Sequence, residues 1–378
     1  MNSWVSCWSY VPLRIELPKH YQNLEEQMLL IKNNVNGQKI RVTLTNKYDS
    51  EEIEFEEIFI GNVYSNSILV KEQGIDSLKL NFKGNKSFLL KPGEKIISDE
   101  MDFFTECNEY IRLESRFKRK NRSSVSTGNF FIKDQDITLV SNIKDDLENL
   151  YVQKVIKVEI ETKEEIKTIV AFGDSITNDS KWTAPLTERL YKEYPGKITL
   201  VNSGIYGNRL LNDSESGYFF GEAGLKRFEK DIFEEHNNVG LVVILEGIND
   251  IIHPLSGTAP VSEKVDAEKI IEALKLLIYK AHKNDSRILL GTITPFYNYN
   301  SVWNENEEKK RQKINKWIRN NNYSDGFIDF DMILRDPTEP RKLYYEYDSG
   351  DNLHLSIKGG KKVSESIDTK KLYELCTK

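Results

Sequence analysis

Past residue 166 the chain repeats one unit, a short apolar run followed by an amphipathic stretch, and few architectures accept that pattern. The apolar runs fall at 168–172, 198–201, 239–245, 287–292 and 326–329, and stretches of helical period lie at 185–194, 267–284 and 307–320. Within 267–284, Ile270, Ile271, Leu274, Leu277 and Ile278 return at helical spacing and form a stripe fit to cover a sheet. Strands that alternate with helices predict an α/β domain, a parallel sheet in a three-layer α/β/α arrangement over 166–378. Such sheets gather their chemistry beyond the C-terminal ends of the strands.

The first part of the chain obeys a different rule. Residues 38–45 alternate polar and apolar with period two, as a half-buried strand does, and 53–60, 78–82, 110–117 and 137–140 behave likewise. Gly37, Gly61, Gly84 and the Pro92-Gly93 pair punctuate them. This predicts an accessory domain over 1–160, an antiparallel β-sandwich of jelly-roll type. One weak helical piece is expected near 145–150, and 151–167 reads as a connecting strand or linker. Two domains suit 378 residues, more than one core usually organises.

Charge and composition exclude several function classes. The formal charge is −6, with basic and acidic residues interleaved as at 226–231, so no nucleic acid partner is expected. No apolar stretch reaches the roughly 18–20 residues of a membrane span. Cys7, Cys107 and Cys376 are far apart and odd in number, which fits neither a disulfide framework nor a zinc site. Free thiols, no metal and no cofactor are expected. The N-terminus lacks a basic segment, a continuous apolar segment and a small-residue cleavage site. The expectation is a cytoplasmic protein as written, or an exported one if a signal has been removed ahead of it.

The chemistry-bearing residues follow the predicted parallel strands. Gly173-Asp174-Ser175 follows the first, the segment 202–208 the second, and Glu246-Gly247-Ile248-Asn249-Asp250 the third; Asp351 and His354 come after the last. One sheet places these tips along one edge. A serine hydroxyl there needs a base to take its proton, a group to hold that base in the right tautomer, and donors for the developing oxyanion. Ser175 is the candidate nucleophile, His354 the base and Asp351 its partner. The Ser175 N–H, a glycine N–H at the second tip and the neutral Asn249 amide are the candidate oxyanion donors.

Each of these residues also has a plainer reading. Ser175 suits a helix N-cap, and Gly204, Gly207 and Asn249 suit turns. Asp174 orders the serine turn, and Asn208 and Arg209 either line a pocket or brace the loop. His253 is the competing base, set at a loop start before Pro254 and placed near the site rather than in the charge system. His20, His236 and His282 read as exposed, and Trp4 and Trp8 either bind sugar or seal a core. Asp329, Asp331 and Asp336 read as caps or as partners of Arg335 rather than as metal ligands. The segment 218–220, Tyr-Phe-Phe, is either core or a wall of the acyl pocket.

Four blocks in this order resemble the SGNH, or GDSL-like, hydrolases, whose domain is flavodoxin-like. They are Gly173-Asp174-Ser175-Ile176, then Asn202, Gly204 and Gly207, then Gly247-Ile248-Asn249-Asp250, then Asp351 with His354. The resemblance covers most of 166–360. It implies Ser175 as nucleophile, His354 as base, Asp351 as its partner, and Gly207 rather than Gly204 as the oxyanion glycine beside Asn249. A narrower likeness, through 42–46, 207–211, 245–250 and 347–354, is to bacterial members with an N-terminal β-sandwich, regarded as esterases with a carbohydrate-ester connection and often exported. The chain departs from them in lacking an export signal, in Asn178-Asp179 where Asp-Gly often stands, and in Leu355 where proline usually follows the histidine. The resemblance implies a serine esterase that removes a short acyl group, acetyl foremost, from a small-molecule or oligosaccharide ester. A lysophospholipase or thioesterase and a non-catalytic carbohydrate-binding protein are the alternatives, and a homo-oligomer is left open.

Overall fold

Valine and isoleucine dominate the strands that lie deepest, and their neighbours explain why. In a computed structural model, which describes residues 2–16, 26–63, 77–119, 125–128, 154–214 and 219–378, Leu241 to Leu245 are all buried, as a strand covered on both faces requires. The chain divides into two units, Met1–Ile166 with Tyr191–Val201, and Lys167–Leu190 with Asn202–Lys378.

In the first unit two five-stranded sheets are built from antiparallel pairs. Val5, Ile40, Val42, Leu44, Val158 and Ile160 of one sheet share a core with Leu29, Ile31, Phe55, Ile58, Ile60, Ile111 and Leu113 of the other, which makes the unit a sandwich. Along Ile53–Val63 the inward residues change parity, from Ile53 and Phe55 to Ile58 and Ile60. A register shift against Arg116 and Phe117 supplies the extra residue that permits this. The strand expected at 78–82 is shorter, Leu78–Lys79, because Lys83 and Gly84 turn the chain with positive φ and Phe82 bridges back to Asn85. Val155–Thr162 is a strand that crosses the expected domain end at 160. Trp8 is buried and Trp4 lies under the Arg41 guanidinium, 4.4 Å from ring centre. The expected strand at 137–140 and helical piece at 145–150 lie outside the described residues.

The parallel sheet has the five strands β1 (Lys167–Gly173), β2 (Ile198–Gly204), β3 (Val239–Leu245), β4 (Arg287–Gly291) and β5 (Phe327–Ile328). Their order is β2-β1-β3-β4-β5, the flavodoxin-like order of a doubly wound sheet. The pairs β1–β3, β3–β4 and β4–β5 are parallel. Right-handed crossovers then send the helix after β1 to one face and those after β3 and β4 to the other. The helices are α1 (Ser175–Asn178), α2 (Thr183–Glu193), α3 (Gly224–Glu229), α4 (Ile248–Ser256), α5 (Ala267–Lys283), α6 (Glu305–Asn320), α7 (Phe330–Leu334), α8 (Ile357–Ser366) and α9 (Thr369–Thr377). Ile270, Ile271, Leu274, Leu277 and Ile278 are the buried stripe of α5, as their spacing predicts, and Asp266 caps its start. Helix α9 passes so near β3 that a Cβ on Gly240 would stand 1.9 Å from the Cys376 carbonyl oxygen.

Two differences from the sequence reading bear on the site. Strand β2 runs on through Gly204, so its tip begins at Ile205 rather than at Asn202. His253 and Pro254 lie inside α4, not at a loop start. Helix α8 holds two adjacent glycines because space is missing: a Cβ on Gly360 would stand 2.0 Å from the Lys181 carbonyl oxygen, and one on Gly359 2.5 Å from that of Tyr347. His236 is buried rather than exposed, His282 pairs with Asp325 at the surface, and His20 is outside the described residues.

Beyond β5, Asp329 caps α7 and Asp336 accepts from Thr338. Asp331 pairs chiefly with Arg311 and Arg319, at 2.7 and 2.5 Å, and only loosely with Arg335 at 3.7 Å. Arg311 is fully buried and also bonds Glu308 and the Ile293 carbonyl. Removing one member of a buried ion cluster strands the others. Arg311→Met is therefore expected to cost about 3–5 kcal/mol in urea unfolding, whereas the partly exposed Arg319→Met is expected to cost at most about 1 kcal/mol. Equal losses from the two would contradict this account of the cluster.

Candidate active site

The turn after β1 is fixed before its serine enters the argument. Gly173 faces the Leu245 carbonyl and Thr177 so closely that a Cβ there would stand 2.3 and 2.5 Å from their oxygens. Asp174 then caps α1, its Oδ1 accepting from the Ile176 N–H at 3.0 Å. The cap is thus Asp174, and Ser175 is the first helical residue, with an N–H of the kind that a helix start leaves without an internal acceptor. Ser175 Oγ lies 2.8 Å from His354 Nε2.

His354 is held by its own loop. Asp351 Oδ2 lies 2.5 Å from His354 Nδ1, while its Oδ1 accepts from the backbone N–H groups of His354 and Leu353 at 2.8 and 3.0 Å. Ser349 Oγ donates to the same oxygen, and Asn352 adopts φ +67° to close the turn. A carboxylate so placed accepts a hydrogen bond from Nδ1–H, which fixes that tautomer and leaves Nε2 as acceptor for the serine hydroxyl. Burial pushes the Asp351 carboxyl up, but the bond and charge of His354, with the two backbone N–H groups, outweigh it and hold it well below the usual carboxylate range. For His354, burial works against the charged ring. The hydrogen bond and charge of Asp351, then Asp179 and Asp174, outweigh burial and raise the imidazole above its ordinary value.

The loop after β2 approaches this pair from the other side. Tyr206 lays its ring parallel to the His354 imidazole, 5.9 Å between centres and 10° between planes. Gly207 follows at φ +68°, and the Phe220 ring occupies the place of its missing Cβ, 2.2 Å from that point. No other residue type fits there without moving Phe220. Gly204 answers a different need: a Cβ there would stand 2.4 Å from the Asn178 nitrogen, so it lets α1 lie against β2. Asn208 is fully buried and braces the loop, donating to the Phe220 and Glu222 carbonyls at 2.7 and 2.8 Å. Asn249, second residue of α4, donates to the Asn208 carbonyl at 2.9 Å, which leaves its other amide hydrogen for a ligand. Asp250 accepts from the Leu210 and Leu211 N–H groups at 2.7 and 2.9 Å; burial pushes it up to about 6 against these bonds.

His253 stands one turn beyond Asn249, buried, with its ring 5.1 Å from that of Phe220. Burial, then the charge of Arg209, lower it to about 4, so it is neutral near pH 7. Among the described residues it has no hydrogen bond to Ser175. Arg209 pairs with Glu263 and donates to the Asp213 carbonyl at 2.6 Å, a brace on the far side of the loop. Phe219 and Phe220 pack edge to face at 4.8 Å; Tyr218 lies outside the described residues.

Two residues that brace the site were given no role by the sequence. Arg227, fully buried on α3, donates to the Gly173 carbonyl, the Ser203 carbonyl and Asn208 Oδ1, at 2.9, 2.8 and 2.8 Å. Glu246, at the β3 tip, lies 3.7 Å from Arg227, and both its oxygens are buried without a hydrogen-bond partner among the described residues. Burial, then the charge of Asp174, push Glu246 well above its ordinary value; burial likewise raises Asp174 to about 7. A lone arginine in an amphipathic stretch reads as surface, and only the fold turns it inward. Glu246 stood at a marked strand tip, and its lack of a partner was the part no pattern reveals.

Residues 169–367 match the family model described as GDSL-like Lipase/Acylhydrolase. Among solved structures the chain is similar to a GDSL-like lipase from Bacteroides thetaiotaomicron VPI-5482, at 20% identity over 55% of this chain and 88% of that one, with a TM-score of 0.39. It is similar to a catalytic mutant of an acetylxylan esterase from Geobacillus stearothermophilus, at 20% identity over 54% and 94%, with a TM-score of 0.41. A carbohydrate acetylesterase family member from Sinorhizobium meliloti gives 14% identity over 56% and 100%, with a TM-score of 0.42. No curated protein matches the chain.

The electrostatics of the imidazole can be measured directly. NMR titration of the ring protons is expected to place the His354 midpoint above that of an ordinary imidazole. In Asp351→Asn the supporting charge is gone and burial remains, so the midpoint falls. An unchanged midpoint in that variant would remove Asp351 as the cause.

Proposed function

The chain belongs to the GDSL-like lipase/acylhydrolase family and is a serine ester hydrolase, and from that premise we propose that it removes a short acyl group, acetyl foremost, from an alcohol of carbohydrate type through a Ser175 acyl-enzyme. The observation that carries this reading is the unbroken chain from Ser175 Oγ to His354 Nε2 at 2.8 Å and from His354 Nδ1 to Asp351 at 2.5 Å. Both lengths are those of a working general base with its orienting carboxylate.

In the first step the Ser175 oxygen attacks the ester carbonyl carbon while its proton passes to His354 Nε2. The Asp351 carboxylate stabilises the imidazolium that results. Negative charge gathers on the carbonyl oxygen, to which the Ser175 N–H, the Gly207 N–H and the free amide hydrogen of Asn249 donate. His354 then gives its proton to the leaving alcohol oxygen as the carbon–oxygen bond breaks. Water then gives a proton to the same imidazole as its oxygen attacks the acyl carbon, and the imidazolium returns a proton to Ser175 Oγ as that carbon–oxygen bond breaks and the acid leaves. Because the imidazole must be neutral to act as base, kcat/KM rises as pH climbs through the His354 midpoint, which lies above the ordinary imidazole value.

Phe220 supports the short acyl group. Its ring fills the space over Gly207 and stands against His253, beside the proposed oxyanion donors, so a long chain laid there would have to displace it. Ser175→Ala is expected to abolish turnover of p-nitrophenyl acetate and labelling by a fluorophosphonate, with the melting temperature kept. Asn249→Ala is expected to lower kcat about 10²–10³-fold, with KM changed much less, as loss of one oxyanion donor does. Wild-type turnover in either variant, or faster hydrolysis of octanoyl than acetyl esters, would refute the corresponding part of the assignment.

A further inference from the structure

Glu246 stands at the tip of β3, shortly before Asn249, and is 3% exposed. Neither of its carboxyl oxygens has a hydrogen-bond partner among the described residues. The cation beside it is already engaged. Four of the five Arg227 N–H groups go to Gly173, Ser203, Asn208 and Asp231, and its Nη2 lies 3.7 Å from Glu246, beyond hydrogen-bond length. Asp231 also answers the arginine's charge, at 3.2 Å. An ionised Glu246 would therefore be a buried charge with no bonded donor among the described residues and no cation to itself, which an interior tolerates poorly. The neighbouring tip sharpens the conflict. Gly173 and Leu245 are register partners, and the Asp174 N–H donates to the Leu245 carbonyl at 3.4 Å, so Asp174 and Glu246 leave the sheet side by side. Asp174 Oδ2 is likewise buried without a partner among the described residues. Two ionised carboxyls offer acceptors only and cannot bond each other, whereas one proton between them supplies the missing donor.

We propose that Glu246 works as a neutral carboxylic acid that shares its proton with Asp174, and that it is a positioning residue for the turn carrying Ser175. Asp174 is the better seat for the remaining charge, because its Oδ1 accepts the Ile176 N–H at the start of α1, whereas Glu246 has no bonded donor among the described residues. Charged groups bear on Glu246 from each neighbouring element. Burial, then Asp174 after β1 and Asp250 on α4, disfavour its charge; Arg227 on α3 and the Gly247 N–H favour it, and burial prevails. The neutral form matters to the site in two ways. A charge on Glu246 would repel Asp174 and loosen the cap that presents Ser175. It would also put a second negative charge just ahead of Asn249, on the side where the proposed oxyanion gathers. The acid avoids both and still donates to Asp174. Its effect on rate rests on the esterase reading, whereas the proton is a property of the fold.

The test is infrared spectroscopy of the full chain near neutral pH, with glutamate or aspartate isotope-labelled at the side-chain carboxyl. The expected result is a protonated-carboxyl band that shifts with labelled glutamate and is missing from Glu246→Gln. Absence of that band from the wild type, or a band that shifts with labelled aspartate alone, overturns the proposal. Kinetics on p-nitrophenyl acetate test the positioning role. Glu246→Ala is expected to lower kcat about tenfold, with KM changed less, and Glu246→Gln, which keeps a donor without a charge, to restore it. Glutamine as damaging as alanine would overturn that role. Should the alanine variant fail to fold, the labelled wild-type spectrum and the glutamine variant still decide. No turnover of any ester, with Ser175 unlabelled by fluorophosphonate and the band present, would instead take down the esterase reading and leave the proton on Glu246.

Discussion

The guanidinium of Arg227 ties the site together, because it bonds at once to the ends of two strands and to the loop beyond them. Its three nitrogens reach the end of β1 at Gly173, the end of β2 at Ser203, and Asn208 in the loop beyond. Its face lies 3.9 Å from the centre of the Phe172 ring, and Asp231 one turn along balances its charge at 3.2 Å. Taking such a group out of water is costly, and only full satisfaction of its donors offsets the cost. A lysine could not replace it, since a single ammonium cannot address three acceptors in fixed directions. The arrangement spends stability on placement: the tip that carries Ser175 and the tip that carries Gly207 are set against each other by one planar cation.

Below that cation the acids form a graded field. Glu246 and Asp174 sit on tips next to each other in the sheet, since Gly173 and Leu245 are register partners. Two buried carboxyls so placed cannot both ionise freely, and both are pushed upward. Asp351 is driven the opposite way by its hydrogen bonds to His354. The result concentrates negative charge on the side of the imidazole where it favours the imidazolium, and weakens it on the tips beside the serine, where the proposed mechanism forms an oxyanion. This is the logic of paired acids whose surroundings separate their titrations.

Much of the parallel sheet and its helices was legible in the sequence because their signals are local. Five parallel strands lie within a few residues of the apolar runs that announce them, and the stripe of α5 is the stripe that is buried. The groups at the strand tips could be placed on one edge because a doubly wound sheet allows no other arrangement. The misreadings have the opposite character. Pro254 hid α4, and the continuation of β2 to Gly204 depends on pairing that periodicity does not encode. Arg227 and Tyr206 were missed for the same reason: their importance comes from partners dozens to well over a hundred residues away.

Tyr206 makes the sharpest case for reading the loop after β2 as one device. Its neighbour Gly207 has the left-handed turn and the covering Phe220 ring, and its own ring lies on His354. Any shift of this loop therefore moves the base and the glycine N–H together. Asn249 adds a third point by bonding the Asn208 carbonyl, and Asp250 a fourth through Leu210 and Leu211. Four attachments on a segment of seven residues leave it little freedom, which is what preorganised stabilisation of charge demands: donors that need not reorganise at the moment the charge appears. The proposed base and oxyanion donors come from separate stretches of chain, and this loop ties them together.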